Sequence, residues 1–333
     1  MLSADVAGTV REHGVPAVPR MQPGAVLRAL RRCDVLVSGG GGLLQDATGP
    51  ASVPYYLGVV AAARALGKPV MVYAQGIGPL RSFAARAALR VLRGAQAITV
   101  RDAESAQVLA AAGVGNVEVT ADAVLSLPRP EPPPGVPPEL GALGVGAGER
   151  VLALAPRPYG GEAFSARLAE AADALARELG ARVVLVPMQW REDGPACARI
   201  AGAMRGPAAV LDRAVPAARY PAVFSGFDVV VGMRLHALIL AALCRVPAVG
   251  LAFDPKIDAF LRNLPPPHAQ LSLDAAPAAL AARVREAYPP SPDGAAALDA
   301  AVGLLQERAR HNNERLLLLL SSLPARRAGA RPR

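Results

Sequence analysis

Cysteine, aromatic residues and lysine are scarce in this chain, and each scarcity removes a class of function. The three cysteines, Cys33, Cys197 and Cys244, form no C-x-x-C pair and leave one over in any bridging scheme. A disulfide scaffold and a thiolate zinc site are therefore excluded, and a reducing compartment suits the chain. Aromatic residues make up 4%, too few to alternate stacking rings with basic groups as single-stranded nucleic-acid binders do. Lysine occurs only at Lys68 and Lys256, so the net charge of +9 is an arginine excess in an Ala- and Arg-rich chain and is weak support for a nucleic-acid partner. No apolar run reaches the roughly 18 to 20 residues of a membrane span. The longest candidate, Ala237 to Phe253, is broken by Arg245 and Pro247. Asp5, Arg11, Glu12 and His13 interrupt any apolar segment near the start, which does not read as a secretory signal; a cytoplasmic protein is expected.

What is present points to two α/β domains. A length of 333 residues exceeds what one core usually organises. Short β-rich runs without polar alternation, at Asp34 to Ser38, Pro69 to Ala74, Ala97 to Val100 and Val117 to Thr120, alternate with Ala-rich helical stretches. That pattern predicts parallel strands buried on both faces. It resumes with strands at Val151 to Ala155, Arg182 to Val186, Ala208 to Leu211, Asp228 to Val231 and Ala248 to Phe253, and helices near Ala163 to Glu178, Pro195 to Met204 and Arg234 to Cys244. The expected organisation is a first domain over 1–127, an extended Pro-rich linker over 128–148 and a second domain over 149–290. A C-terminal helix over 291–324 and a basic tail over 325–333 follow.

Polar groups gather at the carboxyl ends of these strands, where open parallel sheets bind ligands. In the first domain, Gly39, Gly40, Gly41 and Gly42 follow a strand directly and let a ligand approach the backbone; they read equally as a tight turn. The spacing fails both the dinucleotide G-x-G-x-x-G pattern and the P-loop. Gln75 and Arg81 flank a second glycine-bearing turn, Arg101 and Asp102 close the next strand, and Asp122 follows the last. Asp102 reads best as a helix N-cap.

The second domain is sharper. Arg157, Gln189, the pair Arg234 and His236, and Asp254 with Lys256 follow four successive strands. Arg157, Arg234 and Lys256 form a candidate triple-cation pocket beside a helix N-terminus, a site for phosphate or carboxylate. Both Arg234 and His236 face such a crevice only if the helix starts late. His13, His268 and His311 lack such company and read as structural.

The segments S-G-G-G-G-L-L-Q-D, Y-A-Q-G-I-G-P-L, V-R-D-A-E-S, V-P-M-Q, V-G-M-R-L-H-A-L-I and F-D-P-K-I, in this order, resemble the polysaccharide pyruvyl transferase family, its CsaB-type branch most of all. The resemblance implies a glycosyltransferase B-type fold of two Rossmann-like domains facing a cleft. It implies transfer of the pyruvyl group of phosphoenolpyruvate, as a ketal, onto an N-acetylmannosamine residue of a lipid-linked cell-wall polysaccharide precursor, for surface-layer attachment. His236 matches the general acid, and Arg157, Arg234 and Lys256 suit the phosphate and carboxylate. Gln189, Gly40, Gly41, Gly42, Gln75 and Arg81 complete the substrate-binding set, with no cofactor and no metal; Asp46 is a guess for the base. The alternatives are a nucleotide-sugar glycosyltransferase on the same fold and a non-catalytic glycan- or anion-binding protein.

Two further expectations concern the ends. Leu316 to Leu320 are expected to pack back on the domains, since five consecutive leucines cover more than one helical face, while Arg326, Arg327, Arg331 and Arg333 touch anionic lipid. Family members open with a strand and a Gly-rich G-x-G-N-x-G-D loop ahead of the segment matched here by Leu2 to Asp5 and V-P-A-V-P-R. The first domain is therefore expected to lack its opening βα unit, which would leave parallel neighbours with unpaired backbone groups and bared apolar faces. A chain so reduced should be poorly soluble or inactive, and about 45 further residues upstream, one βα unit with its loop, should restore it.

Overall fold

The computed structural model describes residues 1–46, 49, 51–131, 134–211, 215–252, 255–266 and 270–324, with backbone alone at 252 and 270. Two compact units divide the chain: Met1–Ser126 with Gln306–Arg333, and Leu127–Leu305.

The second unit holds a six-stranded parallel sheet of β7 (Arg150–Ala155), β8 (Ala181–Leu185), β9 (Ala208–Val210), β10 (Val229–Gly232), β11 (Ala248–Ala252) and β12 (Gln270–Ser272), in the order β12-β11-β10-β7-β8-β9. The chain winds outward from β7 to β9, then returns to the other side of β7 with β10. The strand order therefore reverses between β7 and β10, where doubly wound sheets open a crevice. Val151 to Ala155 and Val229 to Gly232 are buried throughout, as strands covered on both faces must be. Leu152, Leu154, Val183, Leu185, Val231 and Val249 pack with Phe164, Leu168 and Leu175 of the helix Gly161–Leu179; each aliphatic side chain so buried contributes about 1.5–3 kcal/mol. The helix Leu235–Leu243 is buried from Ala237 onward, which accounts for its unbroken apolar sequence. Gly250 lets the helix Pro255–Leu261 lie close, since a Cβ there would come within 2.6 Å of Leu261.

The first unit contains a four-stranded parallel sheet, β3 (Leu36–Gly39), β4 (Val70–Gln75), β5 (Ala97–Val100) and β6 (Val117–Val119) in chain order. It also contains a separate parallel pair, β1 (Leu2–Ser3) and β2 (Val18–Pro19). β4 and β5 are almost wholly buried, whereas β3 alternates half-buried and exposed residues and leaves Val37 42% exposed. Leu36 and Gly40 donate to Pro69 and Tyr73 of the β4 segment, so by strand alternation the N–H groups of Val37 and Gly39 point away from β4. A groove of about 1050 Å³, lined by Met1, Leu2, Val18, Leu36, Val37 and Tyr56 among others, lies between the two sheet pieces.

Three boundaries differ from expectation. The helix expected from Pro195 starts at Trp190, because the Asp193 carboxylate turns back to accept the Gln189 N–H at 2.8 Å and closes the first turn ahead of the proline. The segment expected as an extended linker over 128–148 carries the helical turn Pro138–Gly141, whose Leu140 is fully buried. Gly226 makes room for it, since a Cβ there would meet Leu140 and Pro137 within 3 Å. The C-terminal helix runs unbroken over Pro292–Ser321, and the unit boundary falls within it.

Candidate active site

In the second unit the sequence-derived residues fall at the ends of four adjacent strands. Lys256 follows β11, Arg234 and His236 follow β10, Arg157 follows β7 and Gln189 follows β8. Because Gly232 is in register with Ala155, Arg234 and Arg157 each stand two residues beyond a paired position, at the point where the strand order reverses. Arg157, Arg234, His236 and Lys256 are half-buried and Gln189 is exposed. Asp254 lies outside the described residues.

The helix starts late, as a shared face for Arg234 and His236 requires. Gly232 closes β10, Arg234 is the extended N-cap at φ −105° and ψ 121°, and His236 is the second helical residue. A Cβ on Gly232 would sit 3.0 Å from Leu238, so the glycine lets the helix turn in against its own strand. The free N–H groups of that first turn favour negative charge.

Arg234 has a second engagement that the sequence reading did not foresee. Its Nε donates to both carboxylate oxygens of Asp193 at 3.1 Å, and its Nη2 donates to Glu192 at 2.8 Å. Asp193 is fully buried and the Arg234 side chain is 16% exposed. Burial works against the guanidinium charge, but the hydrogen bonds it donates to Asp193 and Glu192 outweigh it and raise its pKa. Arg234 is thus a cation fixed in place by protein carboxylates. The signal in the sequence was the acidic pair Glu192-Asp193 in the first helical turn after β8.

In the first unit, the loops after β3 and β4 are zipped together. Gly40 donates to the Tyr73 carbonyl, Gly76 to Gly41 and Gly78 to Leu44, at 2.8–2.9 Å. Gly40 and Gly41 have φ of 81° and 69°, and Gly39 passes so close to Tyr73 that a Cβ would lie 2.3 Å from its carbonyl oxygen; this run requires glycine. Gly42 is half-buried beside them. A register shift between Val72 and Gln75, pinned by the Ala74 N–H on Thr99 Oγ1 at 2.8 Å, leaves Gln75 fully buried. Neither its amide oxygen nor its nitrogen has a partner among the described residues. Such a group costs about 1–3 kcal/mol and marks a place where the fold is not optimised for stability alone. Beside it the Arg101 side chain, 6% exposed, donates to Asp122 at 2.9 Å and approaches Asp102 at 3.4 Å. A Cβ on Gly76 would fall 2.5 Å from that guanidinium.

Asp102 is a helix N-cap, accepting from the Ser105 N–H at 2.7 Å. Arg81 is exposed, and its backbone N–H is bound by Asp46. The Asp46 carboxylate accepts from Ser82 and Arg81, and these backbone bonds hold its pKa below the usual carboxylate value. A carboxylate so stabilised is a weak base, and its observed role is to clamp the loop.

Comparison with known proteins places this architecture. The model of the polysaccharide pyruvyl transferase family matches residues 7–255. No curated protein sequence matches significantly. Among solved structures, the Anabaena protein HepE in complex with UDP-glucose is similar at a TM-score of 0.61 and 15% identity, covering 95% of this chain and 88% of that one. A putative UDP-N-acetylglucosamine 2-epimerase from Listeria monocytogenes gives 0.64 at 11% identity, covering 94% and 85%. A glycosyltransferase from Rickettsia africae gives 0.58 at 10% identity, covering 96% and 90%. At such identities the likeness concerns the fold, the two-unit Rossmann-like architecture of B-type glycosyltransferases. The family match spans the first-unit loops and Arg157, Arg234 and His236 of the second unit, ending one residue before Lys256, and the chain belongs to the polysaccharide pyruvyl transferase family, enzymes that transfer pyruvyl groups to polysaccharide.

Proposed function

We propose that this enzyme follows the CsaB-type reaction, placing the pyruvyl group of phosphoenolpyruvate as a ketal on an N-acetylmannosamine residue of a lipid-linked cell-wall precursor. The observation that carries the reading is the set Arg157, Arg234, His236 and Lys256 on three neighbouring strands, at the strand-order reversal and beside a helix N-terminus. Phosphoenolpyruvate is a small, highly charged anion, and fixed guanidinium and ammonium groups in a half-buried crevice bind its phosphate and carboxylate by charge-assisted hydrogen bonds.

His236 acts as the general acid. A proton added to C3 converts that methylene carbon to a methyl group and makes C2 oxocarbenium-like, one sugar hydroxyl adds to C2, and the C2–O bond to phosphate breaks. A second hydroxyl of the same sugar then closes the ketal. The two hydroxyl protons lost by the sugar balance the proton gained at C3 and the one leaving with inorganic phosphate. Arg234, held by Asp193 and Glu192, presents its charge in one orientation, so little rotamer entropy is lost when substrate binds. Catalysis then rests on an electrostatic arrangement formed before the substrate arrives.

Phosphate release from phosphoenolpyruvate, measured with and without a lipid-linked disaccharide containing N-acetylmannosamine, tests the reading. Acceptor-dependent release is expected. Release of a nucleoside diphosphate from a nucleotide sugar instead would move the enzyme to glycosyl transfer, and binding of phosphoenolpyruvate with no turnover under any acceptor would make it a binding protein.

A further inference from the structure

The outward face of the C-terminal helix changes character along its length. Residues 310, 314, 317 and 321 share one face by helical spacing. Over Glu307, Arg308, Arg310, Asn313 and Glu314 the exposed positions are polar. One turn further, Leu317, Leu318 and Leu320 are 62%, 60% and 42% exposed, contrary to the expectation that the leucine run packs back on the protein. Over His311 to Arg315 the helix is fastened to the first unit. Asn312 is fully buried and bonds Thr120 and Ala121, His311 and Arg315 both bond Glu118, and Asn313 bonds the Tyr73 hydroxyl. Beyond Arg315, the side-chain hydrogen bonds recorded among the described residues are those of Ser321 and Ser322 to the helix's own carbonyls.

We propose that this helix end, Leu317 to Leu323, is a docking surface for an anionic bilayer. A cluster of exposed leucines at the end of an anchored helix is the apolar half of an interfacial anchor. Charge supplies the other half: the sequence carries Arg326, Arg327, Arg331 and Arg333, outside the described residues but within ten positions of Leu323, and no acidic residue after Glu314, and cations tethered so near an apolar patch match the negative surface of anionic lipid. No described helix is long and apolar enough to cross a membrane, so the contact is with the surface, the leucines entering the headgroup and acyl boundary. The same face on a soluble partner would not need a run of cations unrelieved by acids. The proposal stands apart from the pyruvyl-transfer reading, since it uses none of the strand-end residues.

The test is flotation of the full chain with vesicles of phosphatidylcholine alone and of equimolar phosphatidylcholine and phosphatidylglycerol, at low and high salt. The expected result is binding to the anionic vesicles that weakens as salt screens the charges. Changing Leu317, Leu318 and Leu320 to serine should abolish that binding with an unchanged far-UV spectrum and melting temperature, because exposed side chains carry little folding energy. Changing Arg326 and Arg327 to glutamine should weaken it about fivefold per residue. Unaltered binding by the triple serine variant, or equal binding to neutral vesicles, overturns the proposal. So does a concentration-dependent dimer in sedimentation that the serine variant loses, which would assign the face to a second copy.

Discussion

Arg234 is held by the carboxylates of the fold and, in the proposed reaction, also binds substrate; mutations of its neighbours test the first role. Its buried partner Asp193 also accepts the Gln189 N–H at the start of the helix Trp190–Ala203, so Asp193→Ala leaves the half-buried guanidinium with the exposed Glu192 as its remaining carboxylate partner among the described residues, and that N–H without its acceptor. Loss of an ion-pair partner in such a setting costs roughly 3–5 kcal/mol, measurable by urea unfolding. Glu192→Ala, whose side chain is 61% exposed, should cost under about 1 kcal/mol. For the proposed chemistry, His236→Ala should lower turnover by roughly 10²–10⁴ at little change in stability, while Lys256→Ala should chiefly raise the KM for phosphoenolpyruvate. His311 offers a pH test away from the site. Hydrogen bonds that the charged ring donates to Glu314 and Glu118 raise its pKa above the usual 6.5, so the protonated ring's contribution is fully present below pH 6.5 and is lost as pH rises through the elevated folded value. His311→Ala should therefore lower the melting temperature in mildly acidic buffer and have little effect at alkaline pH.

At the scale of elements, β3 is the exception in an otherwise buried set of parallel strands. Its open edge predicts that the amides of Val37 and Gly39 exchange with solvent far faster than those of Met71 and Val72 in β4, by hydrogen exchange read residue by residue; equal protection would show that the edge is covered in solution. Most strands were legible in the sequence because a strand buried on both faces leaves an unbroken apolar run, as in Ala97–Val100 and Val229–Gly232. β1 and β2 have two residues each, too short for any periodicity to register. The start at Trp190 was hidden because Pro195 mimics a first-turn proline, whereas the true start depends on a side-chain bond from Asp193. The polar strand ends could be listed from sequence, but their order across the sheet could not. Adjacency of Lys256, Arg234, Arg157 and Gln189 follows from β10 returning beside β7, a tertiary fact. The exposed leucines were misjudged for a related reason: apolar composition predicts burial only where something lies opposite to pack against.

For the whole molecule, each unit places its polar strand ends at the carboxyl edge of a parallel sheet, the first around Gln75, Arg101 and the glycine loop, the second around Arg157, Arg234, His236 and Lys256. A net charge of +9 favours encounter with anionic substrates and makes association rates sensitive to ionic strength. For the proposed reaction, the kcat/KM for phosphoenolpyruvate should fall as salt rises, with kcat less affected. The central claim is that an acid on the enzyme protonates C3 of phosphoenolpyruvate on the way to a ketal, and turnover in deuterated water tests it directly. NMR of the pyruvylated acceptor should show a ketal methyl group carrying one solvent-derived deuterium, with an equal amount of inorganic phosphate released. A methyl group free of deuterium, a retained vinylidene carbon, or an acceptor left unmodified while phosphate accumulates would contradict the account.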